Sequence, residues 1–407
     1  MQLKRKGGGI VYEGRIIQHY RKKQRLTQEQ LGQDICSVTH LSKIECSRTT
    51  YAPEIVSLLA SRLGITMEKE VEKLHTYKSF LAKWEYAITM RLRHDMDGFA
   101  AHLINEDLIS LSEHYHWFLL LHAKYCLLTN QLDQARQLIK LLEKKKQTLS
   151  FDETQRFHHV KGMFYLVTYQ ANHAIPEFEQ IDETVYPAID YLYHLALAYE
   201  LAGLSTLAYY YADKANRLFT ENRQFLLAIE AERIMLAQLT DLPQRTLDFR
   251  LIQLLQSCDL CQAVEQKAMI LCLFGDVHLK RHDKEQGAHY YLYALNLLDK
   301  QSVFYLTVLE RHLRLQVELD FLNKHTLLPE IEVAKQIASD SKQEMFVHLF
   351  QLLIYQASNN LIDYRRYLEK KALPAFLQFG VSEFIQLATF KIEHLNAQIP
   401  SNELALT

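Results

Sequence analysis

Turn-forming residues are scarce in this chain. Its 407 residues include only 12 glycines and 7 prolines, and three of the glycines sit together at Gly7–Gly9. A β-rich or α/β chain of this length needs far more turn chemistry, so those classes are excluded and an all-α fold remains. No stretch reaches the roughly eighteen apolar residues of a membrane span; even Trp117–Leu128 is broken by His122 and Lys124. The basic opening Met1–Gly9 has no apolar segment behind it and does not read as a secretory signal. Six cysteines are spread thinly through apolar sequence, which reads as free thiols in a reducing, cytoplasmic compartment. Catalytic signatures are missing as well. There is no glycine-rich phosphate loop and no Ser-His-Asp pattern. Cys258 and Cys261 form a lone pair at helical spacing. His114/His116 and His158/His159 have no carboxylate or third ligand at coordinating spacing. The chain reads as a non-enzyme with no metal and no cofactor.

Apolar residues make up 48% of the sequence, enough for a large core. Net charge is −2, and its distribution is uneven. Residues 1–66 carry 11 Lys/Arg against 5 Asp/Glu, a net of +6; the rest carries 35 against 43, a net of −8. A short basic head on a long acidic body fits one part for a polyanion and another for a different ligand. Apolar positions from Ile16 to Ile65 suffice for one small core, and the pattern predicts five short helices in the first 66 residues. Thr27 with Gln30 three residues later forms a capping-box pattern, Ser37 is a second N-cap, and Pro53 and Gly64 bracket a fourth helix. The expected division is a basic tail over 1–9, a head domain over 10–66, a charged amphipathic linker helix region over 67–90 and a helical repeat domain over 91–400.

Internal repetition defines that last part. Small residues recur twelve apart at Ala123/Ala135, Gly162/Ala174, Ala196/Ala208 and Gly275/Gly287. Such spacing places a small residue on each arm of a helical hairpin of about 34 residues, where the two helices cross. The longer gap before Gly275 predicts a degenerate unit near 231–255. Further hairpins are expected over 304–337 and 345–376, with a capping helix over 381–397. About eight or nine hairpins would stack as a right-handed tetratricopeptide superhelix with a concave inner face.

The run Leu26–Glu45 reads as a helix, a tight turn and a second helix. Leu41 and Ile44 face inward on the second helix. Its other face carries Val38, Thr39, His40, Ser42 and Lys43, small, polar or cationic side chains that suit a DNA major groove. Leu26-Thr-Gln, Ile35-Cys-Ser and Leu41-Ser-Lys-Ile-Glu resemble the helix-turn-helix of the lambda-repressor-like (Xre) superfamily. In closer detail they resemble the RRNPP family of peptide-responsive regulators, of the NprR- and PlcR-like kind, which also carry a C-terminal tetratricopeptide solenoid.

The resemblance implies a cytoplasmic, homodimeric transcription regulator of quorum-sensing type. Its partners would be double-stranded DNA with a palindromic operator and a short signalling peptide held in the concave face. It implies that Gln28 touches a phosphate, that Val38, Thr39 and Lys43 face base edges, and that Ser37 and His40 lie at the rim. Arg21 and Glu45 would form a structural salt bridge. The turn is one residue shorter than in phage repressors, and Cys46-Ser47 stands where Asn-Gly is usual. The inward positions of the first helices hold Trp117, Lys124, Arg156, His159, Tyr193, Glu200, Cys272 and Asp276, a mixture of charge and aromatics that suits a peptide backbone. The family's Asn clamps have no obvious counterpart, since Asn130, Asn172 and Asn216 lie near turns or on outer helices. A second reading follows from Rap-type relatives, which lack the DNA-binding head: the repeats would bind a protein partner such as a phosphorelay response regulator.

Overall fold

The computed structural model describes residues 12–46, 52–186, 188–240, 242–302, 304–319 and 324–398. The tail expected over 1–9 lies outside them. The described residues are helical with no strand, and no helix is long and apolar enough to cross a membrane. The chain divides into two compact units, with the boundary between His122 and Ala123.

The first unit opens with α1 (Glu13–Lys23), α2 (Gln28–Gly32), α3 (Val38–Glu45) and α4 (Pro53–Arg62). The apolar pattern predicted five helices here, and these four stand among the described residues. Thr27 and Gln30 close a complete capping box on α2, and the Ser37 hydroxyl accepts from the His40 amide at the start of α3. Gly64, at φ 70°, ends the turn after α4 in a conformation that glycine adopts without strain. Ile16, Ile17, Leu31, Leu41, Ile44 and Leu59 are fully buried and form the core. Gly14 is where α1 presses on α3: a Cβ there would lie 2.0 Å from the Ile44 carbonyl oxygen.

The stretch expected as a linker helix is one long helix, α5 (Met67–Thr89), within this unit. Leu74, Tyr77, Leu81 and Trp84 on α5 are buried, and the Tyr20 hydroxyl donates to Glu70 at 2.8 Å. α6 (Arg93–Ile104) and the first half of α7 (Tyr115–Leu128) complete the unit. His122 is buried against Trp84 and Phe118 at ring separations of 6.4 and 5.6 Å.

The second unit is a series of hairpins. After the end of α7 come α8 (Leu132–Lys144), α9 (Phe151–Val167), α10 (Ala171–Phe178), α11 (Tyr191–Leu201) and α12 (Ser205–Glu221). Then follow α13 (Phe225–Ala237), α14 (Gln244–Cys261), α15 (Val264–Lys280), α16 (Lys284–Leu297), α17 (Tyr305–Leu319) and α18 (Lys324–Asp340). The series ends with α19 (Glu344–Ala357), α20 (Leu361–Tyr367), a single π-helical turn, α21 (Leu373–Phe379) and α22 (Ser382–Gln398). α13 and α14 occupy the place of the degenerate unit.

The small-residue pairs sit where arms cross. Ala123, Ala135, Ala174, Ala196 and Ala208 are fully buried. A Cβ on Gly162 would come within 2.4 Å of the Phe178 ring, and one on Gly275 within 2.4 Å of the Tyr291 ring. In both hairpins the glycine admits an aromatic from sixteen residues further on.

Early hairpins also touch late ones. Asn130 donates to the Gln301 carbonyl at 3.2 Å, Gln343 to the Val167 carbonyl at 2.9 Å, and Asn172 to the Leu377 carbonyl at 3.0 Å. The Tyr169 ring meets Phe346 edge-on, with centroids 4.9 Å apart. The solenoid therefore returns on itself after about five hairpins, fastened at its turns.

Two predictions follow from this packing. Gly162→Val should lower stability by about 1–3 kcal/mol through overpacking. Gly98→Ala, on an exposed face of α6 with open space around the new methyl, should raise it by up to about 1 kcal/mol. Denaturant titration checks both, and equal stability of the two variants would refute the crossing constraint. Burial pushes the His122 imidazole down to about 4, against about 6.5 in an unfolded chain. The unfolded state then binds the extra proton between those values, so stability falls as pH drops from about 6.5 to about 4, by up to about 3 kcal/mol. His122→Leu should reduce the pH slope of unfolding in that window by about one proton, read by thermal unfolding across a pH series.

Candidate functional site

Two regions of the molecule carry site-like features. In the first unit the axis is a carboxylate. Glu45, at the end of α3, is buried and receives two hydrogen bonds from the Arg21 guanidinium, at 2.6 and 2.9 Å. Gln28 donates to the same carboxylate at 2.8 Å. Burial alone would push the Glu45 carboxyl up, but the bonds from Arg21, Gln28 and Gln18 outweigh it and hold the group below its ordinary value. One side chain thus ties α1, α2 and α3 together. Arg21 also donates to the Leu26 carbonyl at 2.8 Å, in the turn before α2. Gln28, expected at a phosphate, is half-buried with one amide N–H given to Glu45.

With Leu41 and Ile44 inside, the rest of α3 faces outward. Ser37, Val38, Thr39 and Lys43 are exposed and His40 is half-buried. Val38 leaves 45% of its surface open, an exposed apolar area on this face. The exposed strip offers a methyl-bearing end, a hydroxyl and an ammonium, and no acid.

In the second unit the first helices of successive hairpins carry the polar residues. Glu200 on α11 takes both arms of Arg233 on α13, at 3.2 and 2.9 Å. Glu230 on α13 accepts from Gln266 on α15 at 2.6 Å. Asp276 on α15 accepts from Tyr291 at 2.6 Å and pairs with Arg311 on α17. Arg311 and Arg314 both reach Glu383, at 3.0 and 3.4 Å. Beside Glu230, Arg233 and Gln266 lies a small cleft of about 20 Å³, lined also by Tyr193, Ile229, Met269 and Phe304 among others. Of the residues expected to face a peptide, Tyr193 lines this cleft, while Glu200 and Asp276 hold ion pairs beside or beyond it. Arg156 is half-buried and bound to Asp152, and Trp117 belongs to the first unit.

Lys124 and His159 are placed differently from that expectation, because both are buried in the packing between hairpins. Lys124 donates to Asp190 at 2.7 Å. The His159 Nε2 lies 2.9 Å from His194 Nδ1, and its Nδ1 lies 2.8 Å from the Tyr186 hydroxyl. Cys272 is also buried, and burial pushes its thiol up to about 12. Asp190 and His194 stand four apart at the start of α11, a local spacing that the sequence shows, while His159 comes from α9 and is brought to them only by the fold.

No family model matches this chain, and no curated protein does. Among solved structures it is similar to NprR in complex with its cognate peptide NprX, at 19% identity over 78% of this chain and 93% of that one, with a TM-score of 0.64. It is also similar to a Rap protein complexed with competence and sporulation factor, at 13% identity over 81% and 98%, with a TM-score of 0.55. The fold is therefore that of the all-α, tetratricopeptide-like solenoids to which NprR and Rap belong.

Removing the shared carboxylate tests the first region. Glu45→Ala leaves a buried guanidinium uncompensated and should cost about 3–5 kcal/mol. Unfolding followed by circular dichroism reads this directly, and a loss below 1 kcal/mol would show that the three helices do not depend on Glu45.

Proposed function

We propose that this protein is a DNA-binding transcription regulator of the RRNPP type, governed by a short peptide held on the inner face of its solenoid. The observation that carries the reading is the outward strip of α3. Its inner side is locked by Leu41, Ile44 and Glu45, and its outer side presents Ser37, Val38, Thr39 and Lys43 to solvent. A capped helix with a small, acid-free face on a basic head has the shape and charge to enter a major groove. Val38 would meet a thymine methyl, and Lys43 a guanine edge or a phosphate.

The solenoid reading rests on its fold, shared with the NprR–NprX complex, and on the cleft among Tyr193, Arg233 and Gln266. An extended peptide needs donors and acceptors for its backbone and a recess for a side chain. Glu230, Gln266 and Arg233 supply the first, and Tyr193, Met269 and Phe304 the second. The protein would act as a cytoplasmic homodimer, since one reading helix gives little specificity and two half-sites of a palindrome multiply it. The similarity to a Rap protein favours a second reading, in which the solenoid engages a protein partner such as a response regulator.

The deciding experiment is binding of the full chain to its own upstream DNA at fixed salt, with and without synthetic peptides encoded by adjacent small reading frames. Affinity should shift with one peptide. Lys43→Ala should weaken specific binding by about 1–3 kcal/mol if it reads a base, or lower the salt slope by about one if it meets phosphate. Unchanged binding by Lys43→Ala would defeat the reader assignment. DNA binding indifferent to every peptide would move the solenoid's role to a protein partner.

A further inference from the structure

We propose that His159, Asp190 and His194 form a binding site for one divalent transition-metal ion, zinc by their donor chemistry. One ligand atom from each of the three lies within 4.8 Å of the others, and all three residues are buried. Two imidazoles and a carboxylate are the donor set that zinc and iron(II) take in proteins, with further positions left open.

Three features make this more than a chance meeting of polar groups. The first is the outer partner of His159. Its Nδ1 faces the Tyr186 hydroxyl at 2.8 Å, so a proton on Nδ1 leaves the Nε2 lone pair aimed at His194 and the cluster. Metal-binding histidines are oriented by this kind of bond on the far nitrogen. The second is that His159 Nε2 and His194 Nδ1 converge at 2.9 Å. Two ring nitrogens this close either share one proton or share a cation. The third is Asp190. Its side chain is 1% exposed; Oδ2 receives the Lys124 ammonium at 2.7 Å, while Oδ1 is buried with no hydrogen-bond partner. A buried carboxylate oxygen left unpaired is costly, and an ion at the histidine pair would satisfy it.

Lys124 sets the character of the site. Its charge holds Asp190 when no ion is bound and opposes an ion when one arrives. Affinity is therefore weaker than the ligand set alone would give, and it responds to position 124 in a known direction. The ligands come from α9 and from the start of α11, so an ion here clamps two adjacent first helices next to Tyr193 in the cleft. The assignment stands independently of the DNA and peptide reading.

The test uses the full, untagged chain, stripped with a chelator and dialysed. Cobalt chloride is titrated with visible absorption as the readout, and zinc chloride by calorimetry. The expected result is one ion per chain, with a cobalt ligand-field spectrum that zinc abolishes. His159→Gln and His194→Asn should each weaken binding at least tenfold while keeping the helical circular dichroism. Lys124→Met should bind zinc about tenfold more tightly, and zinc should restore the stability that this variant loses without it. Absence of both a cobalt spectrum and zinc heat in the wild-type chain would overturn the proposal. So would binding of equal strength by wild type and the two histidine variants, which would place the ion elsewhere, or Lys124→Met binding no tighter than wild type.

Discussion

The second unit depends on how closely two helices of a hairpin can approach. At each crossing one arm must give up its side chain for the other arm to fit. Gly162 and Gly275 do this completely, with the rings of Phe178 and Tyr291 where a methyl group would otherwise stand. Ala196 against Ala208 does it with a single carbon each, both fully buried. Because interiors are packed like crystals, a hairpin closed this tightly has little freedom in its crossing angle. Stacking such units transmits the angle along the chain, so the curvature of the inner face follows from a few small residues. The contacts from Asn130, Asn172 and Gln343 back to later turns then close the coil at its rim.

That geometry explains where the inner polar groups find partners. His159 and His194 are 35 residues apart, Glu200 and Arg233 33, Glu230 and Gln266 36, and Asp276 and Arg311 35. Each interval is about one repeat. A polar residue on one first helix is answered by the equivalent position on the next, and the charge of one hairpin is neutralised by its neighbour. Isolated charges in so narrow a face would be strongly penalised, and pairing at the repeat interval removes most of that penalty.

Much of this was legible in the sequence, and what was hidden has definite causes. The capping box at Thr27, the N-cap at Ser37, the inward face of Leu41 and Ile44 and the twelve-residue pairs are local patterns, and each stands where its spacing placed it. The turns were harder to see. Tyr169, Arg223, His282 and Lys342 all adopt left-handed conformations at φ 56–63° between helices, positions where glycine or asparagine is the usual marker. A chain that turns on arginine and lysine leaves little punctuation to read. The charged amphipathic pattern over 67–90 pointed to a helix, and α5 stands there with Leu74, Tyr77, Leu81 and Trp84 as its buried stripe. Lys124 and His159 looked inward-facing and open because helical phase gives direction but not depth. Their partners lie a repeat or two further along the chain and cover them.

Depth also governs what the inner face can recognise. Glu200, Arg233, Asp276 and Arg311 are already engaged with each other, so any ligand of this face competes with internal ion pairs. Its net gain is the difference between the new contacts and the old, which is small for a mismatched ligand and favourable only where a whole pattern is met. On the proposed peptide reading, preformed pairing of this kind would lower affinity for arbitrary charged peptides and raise discrimination among them. Affinity, on that reading, would come from apolar contacts such as those beside Tyr193 and Phe304. The polar groups of the proposed site would then decide which sequence is admitted and the apolar lining how tightly it stays.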